Sequence, residues 1–142
     1  MSQDLIQSKG IIVGSHPFGE ADLILRVICE ESGNISFIAK HARRSKSRFS
    51  GKFDIFDHGL FEGKIKNSNL IPVSQFKREP SFRKLRDDLT KFTIASVLAE
   101  VADKITQEGS ETDKGYYYSL LEGFQNINDA EDAKSALRSL YE

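Results

Sequence analysis

Apolar residues in the first half of the chain recur in short runs of period two, the pattern that predicts β-strands. Gly59 interrupts one run and predicts a bulge or bend. Pro72 cannot donate a backbone hydrogen bond, so it predicts that its strand begins on a sheet edge. Turn residues separate the runs at 16–19 and 31–34. The five predicted strands span residues 9–16, 23–29, 35–42, 53–65 and 70–76.

The second half of the chain changes to apolar residues spaced three and four apart, which predicts amphipathic helices. A first helix is expected to begin at Pro80 and to end before Gly109. A second is expected over residues 113–124, and a third is expected to begin at Asn128, where the capping-box spacing occurs. The apolar stripe of the third helix consists of Ala133, Leu137, Leu140 and Tyr141.

Five short strands within about 75 residues point to a small barrel. A five-stranded oligonucleotide-binding barrel (OB-fold) matches best, and an SH3-like barrel is the nearest competitor, because periodicity alone does not separate the two. The predicted fold class is α+β, with an OB-fold β-barrel over residues 1–79 and a small α-helical domain over residues 80–142. The chain stops inside the third helical pattern, so we expect the natural protein to continue, or its exposed stripe to form a homodimer.

One segment, residues 40–52, concentrates positive charge. It holds six Lys or Arg residues and no acidic residue, whereas the whole chain has a net charge of −1, so the rest of the molecule is acidic. A local cationic patch favours a polyanionic partner, because Lys and Arg on phosphates release condensed counterions. Interspersed Ser and Gly predict an exposed loop. Phe49 either stacks on a base or packs in the core, with the core role favoured.

Few residues suggest catalysis or a cofactor. His16, His41 and His58 are scattered and lack the spacing of metal ligands. The single cysteine, Cys29, excludes an internal disulfide and a cysteine-rich metal site, and its apolar surroundings predict burial. We expect no catalytic activity, metal or cofactor. No secretory signal pattern and no apolar run near 18 residues occurs, which suits a cytoplasmic protein.

Four pieces of the barrel half match a known family in order and spacing. They are Gly10-Ile11-Ile12-Val13, Phe18-Gly19-Glu20-Ala21-Asp22, Glu30-Glu31-Ser32-Gly33-Asn34 and Ala39-Lys40-His41-Ala42-Arg43-Arg44-Ser45-Lys46-Ser47-Arg48-Phe49. These residues resemble the N-terminal half of the RecO family, the bacterial recombination mediators of DNA repair. The family pattern at the last piece is Ala-Lys-Gly-Ala-Arg-Arg-x-Lys-Ser-Arg-Phe, so His41 stands where the family has glycine.

The resemblance implies an OB-fold joined to a helical domain in a cytoplasmic, nucleoid-associated protein. It implies binding of single- and double-stranded DNA, annealing of complementary strands, and help in placing RecA, together with RecR, on strands coated by single-strand-binding protein. Gly19, Glu20 and Asp22 are expected to be structural. The expected DNA-binding residues are Lys40, His41, Arg43, Arg44, Lys46, Ser47, Arg48, Phe49 and Lys52.

Many family members also carry a four-cysteine zinc site in the helical domain, and this chain has none of it. Contacts with RecR or with the single-strand-binding protein that depend on that region therefore stay open. Two other functions also stay open at this point: an RNA-binding OB module without a recombination role, and an adaptor whose barrel binds a protein and whose basic loop is merely solvated.

Overall fold

A computed structural model of the protein describes residues 5–43, 53–65, 69–106 and 114–131. Within these ranges the chain forms five strands followed by three helices. The strands are β1 (Leu5–Phe18), β2 (Asp22–Cys29), β3 (Gly33–Ala39), β4 (His58–Lys64) and β5 (Leu70–Arg78). The helices are α1 (Arg83–Asp87), α2 (Leu89–Ile105) and α3 (Lys114–Asp129).

The five strands close into a barrel in the order β1-β2-β3-β5-β4. Every neighbouring pair is antiparallel except β3 and β5, which run parallel. β1 has 14 residues because its first half pairs with β4 and its second half with β2, with a register shift after Ile12. This is the strand order of the OB-fold, so the predicted fold is confirmed over the SH3-like alternative.

Apolar side chains fill the interior of the barrel. Phe37 stacks on Phe61 with ring centroids 5.3 Å apart, and Phe61 stacks on Phe76 at 4.4 Å. Leu25, Val27 and Cys29 alternate along β2 and join the same cluster, as the period-two pattern predicts.

A second core lies between the outside of the barrel and the helices. Ile11, Val13 and Ile28 point away from the barrel interior and pack with side chains of all three helices, Phe124 of α3 among them. Both faces of β1 and β2 are therefore apolar in this region, one toward the barrel interior and one toward the helices. The division into domains 1–79 and 80–142 stays a prediction. The second core contains residues from both parts, so the barrel and the helices share it.

The predicted first helix is interrupted at Asp88. The main chain is extended at this residue, and its carboxylate accepts hydrogen bonds from the amides of Thr90 and Lys91 at 3.0 and 3.1 Å. Asp88 is thus the N-cap of α2, which satisfies two otherwise unpaired amides. The prediction of one continuous helix was wrong, because Asp88 is extended and caps a new helix, which the spacing of the apolar residues does not reveal.

The predicted third helix does not begin at Asn128. This residue lies in the last turn of α3, and its side-chain oxygen accepts hydrogen bonds from the amides of Lys84 and Leu85, at 2.9 and 3.2 Å, in the first turn of α1. Asn128 does cap a helix, but the helix is α1 and not one that begins at Asn128. The rest of the predicted third helix, with Leu137 and Leu140, lies outside the described residues, so the homodimer stays a prediction.

Two predictions about the strands were wrong. β4 begins at His58 rather than at residue 53, because the chain turns at Phe56, where φ is +76°. Gly59 adjoins this turn, and a Cβ there would lie 2.0 Å from the carbonyl oxygen of Lys77, so only glycine allows β4 and β5 to approach. Pro72 does not lie on a sheet edge, because its strand is paired on both sides in the closed barrel.

Two polar networks attach the helices to the barrel. Asp103 of α2 accepts hydrogen bonds from Arg26 at 3.1 Å and from the buried amide of Asn34 at 2.8 Å. The carboxylate of Asp57, 1% exposed, binds the guanidinium groups of Arg78 and Arg86. Because buried charges need partners, these contacts hold the helices in one position on the barrel.

Candidate nucleic-acid interface

The turn between β1 and β2 binds the start of the cationic segment. The Asp22 carboxylate accepts a hydrogen bond from the His41 amide at 2.8 Å. The Arg43 amide donates to the carbonyl oxygen of Ala21 at 2.9 Å, and its guanidinium Nη1 donates to that of Gly19, also at 2.9 Å. These bonds fix the path of the main chain after β3 and therefore the position of the first basic residues.

His41 adopts a left-handed main-chain conformation, with φ of +63°. A residue with a Cβ is strained in this conformation, which glycine adopts more readily. In this conformation the His41 amide donates to the Asp22 carboxylate. A histidine thus occupies a glycine-type conformation at the first turn of the cationic segment.

The structural role predicted for the β1–β2 turn fits these contacts. Gly19 itself has φ of +64°, a conformation that glycine adopts without strain, and its carbonyl group is the one that Arg43 binds. Asp22 pairs with Phe18 in the sheet and binds His41 outside it.

The predicted DNA-binding residues are only partly described. Lys40, His41 and Arg43 are exposed and lie together in the turn that follows β3. The chain is described again from Phe53, which is 6% exposed and has its ring 5.4 Å from that of Phe76 in the barrel core. Both ends of the cationic segment are therefore attached to the same barrel. The predicted residues Arg44, Lys46, Ser47, Arg48, Phe49 and Lys52 lie outside the described residues.

The strand register extends this site over the outer surface of the barrel. Side chains that alternate with the core residues of β2, β3 and β5 point outward. One row across the sheet consists of His16, Ile24, Ile38 and Pro72, paired in that order. In the next row Phe18 pairs with Asp22, beside the turn that begins at Lys40. We call this set the outer row surface, and it consists of His16, Phe18, Asp22, Ile24, Ile38, Lys40 and Pro72. Sequence reasoning missed it, because it depends on the register between distant strands.

Several other cations of the described chain are used for internal contacts. Arg26 binds Asp103, and Arg78 and Arg86 bind Asp57. Lys91, 4% exposed, donates to the carbonyl oxygen of Asn128 at the C-terminal end of α3, at 3.0 Å. These groups hold the fold together and are not directed at a ligand. Lys40 and Arg43 differ from them because both side chains are exposed at the margin of the outer row surface, and the only internal partner described for the Arg43 guanidinium is the carbonyl oxygen of Gly19.

The described residues outside this surface suggest no reactive centre. No group of three or more His, Cys, Asp or Glu residues is arranged to hold a metal ion in the described ranges. Burial raises the pKa of the Cys29 thiol to about 12, so the thiol is protonated at neutral pH and is a weak nucleophile. Cys29 is a small buried hydrophobic residue, as its sequence surroundings predict.

Burial also affects the one buried histidine of the described ranges. His58 stacks on Phe82, with ring centroids 4.9 Å apart, and its Nε2 lies 3.1 Å from the carbonyl oxygen of Pro80. Desolvation lowers the pKa of its imidazole and outweighs the opposing effects of that carbonyl and of the carboxylates of Glu79 and Asp57. His58 is therefore a neutral packing group at the junction of barrel and helices.

One known protein family matches the barrel half of the chain. The family model for the N-terminal part of recombination protein O matches residues 1–82, which is more than half of the chain. The chain belongs to the recombination protein O (RecO) family. The match covers the whole barrel, including the β1–β2 turn and the cationic segment.

Individual relatives extend beyond the barrel. The DNA repair protein RecO of Bacillus velezensis is 33% identical over 129 residues, which cover 90% of this chain and 49% of that protein. The DNA repair protein RecO of a Thermoanaerobacter species is 30% identical over 117 residues, 80% of this chain and 46% of that protein. The chain thus spans about half the length of these curated relatives. In the described ranges no helix is long and apolar enough to cross a membrane.

Proposed function

We propose that this RecO-family chain acts in DNA repair and recombination by binding single- and double-stranded DNA through its cationic segment, residues 40–52. One observation carries the proposal: the β1–β2 turn binds the first residues of that segment, through Asp22 and Gly19, at the margin of the outer row surface of the OB barrel. Six cations without an intervening acid then follow one another from a defined starting point.

The mechanism we propose is electrostatic binding of the phosphate backbone. Lys and Arg side chains neutralise phosphates and release counterions, and they carry no sequence information, so binding is nearly independent of sequence. Two strands held on the same cationic surface are less repelled by each other, which favours annealing. The role is one of binding rather than catalysis.

Further steps follow from family membership alone and belong to the proposal. We propose that the protein helps to place RecA on strands coated by single-strand-binding protein, together with RecR, and that it associates with the nucleoid in the cytoplasm. We also propose that residues 1–79 act as the DNA-binding unit and residues 80–142 as a helical unit. The relatives named DNA repair protein RecO support the repair role of the family.

A salt titration tests the proposal directly. If four to six cations bind phosphates, log K for single-stranded DNA should fall with log[salt] at a slope of roughly −3 to −4. Replacing Arg43, Arg44 and Arg48 together by Ala should reduce the magnitude of that slope by about 2 units. The same titration with single-stranded RNA and duplex DNA measures nucleic-acid preference.

A matched control removes three positive charges elsewhere. Lys9, Lys77 and Lys84 are exposed and lie away from the outer row surface, so their joint replacement by Ala should leave the slope nearly unchanged. Equal affinity and an unchanged slope in the triple arginine variant would overturn the DNA-binding assignment. A strong preference for RNA would favour the RNA-binding alternative, and no nucleic-acid binding at all would favour the protein-binding adaptor.

A further inference from the structure

Phe18 stands out among the aromatic residues of the barrel. It is 49% exposed, the largest exposed fraction of any phenylalanine in the described ranges, whereas Phe37, Phe56 and Phe61 are at most 1% exposed. It is the last residue of β1, so its main chain is held by pairing with Asp22. Single exposed apolar residues are common on protein surfaces, so the case for a ligand at Phe18 depends on the groups that lie beside it.

The register defines where the Phe18 ring lies. Leu25 and Val27 point into the barrel. Asp22 is three and five residues away from them along β2, an odd spacing, so it lies on the outer side together with its partner Phe18. His16 is on the same face of β1, and its Cα lies about 6.6 Å away along the strand by standard strand geometry. Two exposed planar side chains therefore share one side of the sheet.

Two cationic side chains that could bind phosphate, Lys40 and Arg43, lie in the turn beside Phe18. The Asp22 carboxylate that pairs beside Phe18 holds the His41 amide, and the Arg43 guanidinium binds the carbonyl oxygen of the next residue after Phe18, Gly19. Lys40 and Arg43 are exposed in the same turn. An aromatic platform bordered by cations is the arrangement by which proteins bind single-stranded nucleic acid.

We propose that the outer row surface is a nucleobase-stacking subsite, in which Phe18 stacks on a base of a single strand while Lys40 and Arg43 bind the flanking phosphates. This inference rests on the proposed DNA-binding function and adds selectivity to it. The faces of bases in a duplex are already covered by neighbouring base pairs, so Phe18 contributes to single-strand binding and not to duplex binding.

The first test separates stacking from charge. Phe18→Ala should weaken single-stranded DNA binding roughly 5- to 150-fold, which corresponds to about 1–3 kcal/mol. Its salt slope should equal that of the wild type, because no phosphate contact is lost. Duplex affinity should stay the same. Leu5→Ala is the matched control, because Leu5 is an exposed apolar residue, 63% exposed, at the other end of the same strand.

The second test reads the stacking itself. The chain has no tryptophan, so Phe18→Trp introduces a single reporter whose emission should be quenched when oligothymidylate binds. Tyr118→Trp places the same reporter on α3 at a position of nearly equal exposure, 48%, and should not be quenched. The emission of Phe18→Trp tests the stacking even if Phe18→Ala does not fold.

The outcomes are distinct. Unchanged single-strand affinity in Phe18→Ala, equal losses for single strand and duplex, or unquenched emission from Phe18→Trp in the bound state would each overturn the stacking subsite while DNA binding itself stands. A wild-type protein that binds no single-stranded DNA would overturn the proposed function together with the subsite.

Discussion

The strained conformation of His41 allows a quantitative prediction. Replacing His41 by Gly removes the Cβ that is unfavourable at φ of +63° and leaves the amide bond to Asp22 in place. A left-handed conformation costs a residue with a Cβ about 1–2 kcal/mol. Glycine in turn loses about 0.5–1 kcal/mol more conformational entropy on folding. We therefore expect His41→Gly to stabilise the protein by about 0.5–1 kcal/mol.

Urea denaturation of the DNA-free protein measures this change as a shift in the midpoint at constant slope. For a chain of this length 1 kcal/mol corresponds to about 2–4 °C in Tm. His41→Ala is the control, because it removes the imidazole but keeps the Cβ, and it should be no more stable than the wild type. A Gly variant that is less stable than the Ala variant would refute the reasoning.

Phe56 provides a contrast with the same backbone feature. Its φ is +76°, so Phe56→Gly relieves the same kind of strain. Its ring, however, is 1% exposed and packs 5.1 Å from the ring of Phe124 and 5.7 Å from that of Phe92. Loss of a buried Phe costs about 3–5 kcal/mol, which exceeds the strain relieved. His41→Gly should therefore raise the free energy of unfolding and Phe56→Gly should lower it. Urea midpoints that move in the same direction for both variants would contradict this account.

Three further predictions concern the fold. Gly59→Ala should lower the free energy of unfolding by several kcal/mol or abolish folding, whereas Gly14→Ala, whose Cβ would meet a side chain at 3.4 Å, should change little in the same urea titration. Because burial lowers the pKa of His58, the unfolded chain takes up its proton at higher pH than the folded chain does. The stability from neutral His58 is therefore present above about pH 6.5 and lost as the pH falls below it, and His58→Phe should flatten stability curves measured between pH 7 and 5. Asp103→Ala should cost about 1–3 kcal/mol because it removes the charged acceptor that Arg26 and Asn34 share, while Glu100→Ala, which breaks an exposed pair on the same helix, should cost less than about 0.5 kcal/mol.

The sequence by itself determined the kinds of elements and their order. Period-two alternation along residues such as Leu25, Val27 and Cys29 predicts strands because one side of each strand must face the barrel interior. Three-to-four spacing after Pro80 predicts helices for the same reason of burial. The cationic segment is visible without any structure, because charge clustering is a property of neighbouring residues.

Only the tertiary structure decided features that depend on contacts between distant residues. Asn128 reads as the start of a helix, yet its oxygen caps α1, because packing of α3 against α1 brings it there. The turn at Phe56 follows from packing of its ring among the helices, which overrides the strand pattern around it. The side-by-side position of Phe18 and Arg43 is likewise a product of strand pairing and of the β1–β2 turn. Local sequence encodes local preference, whereas a surface assembled from separate strands exists only once their register is formed.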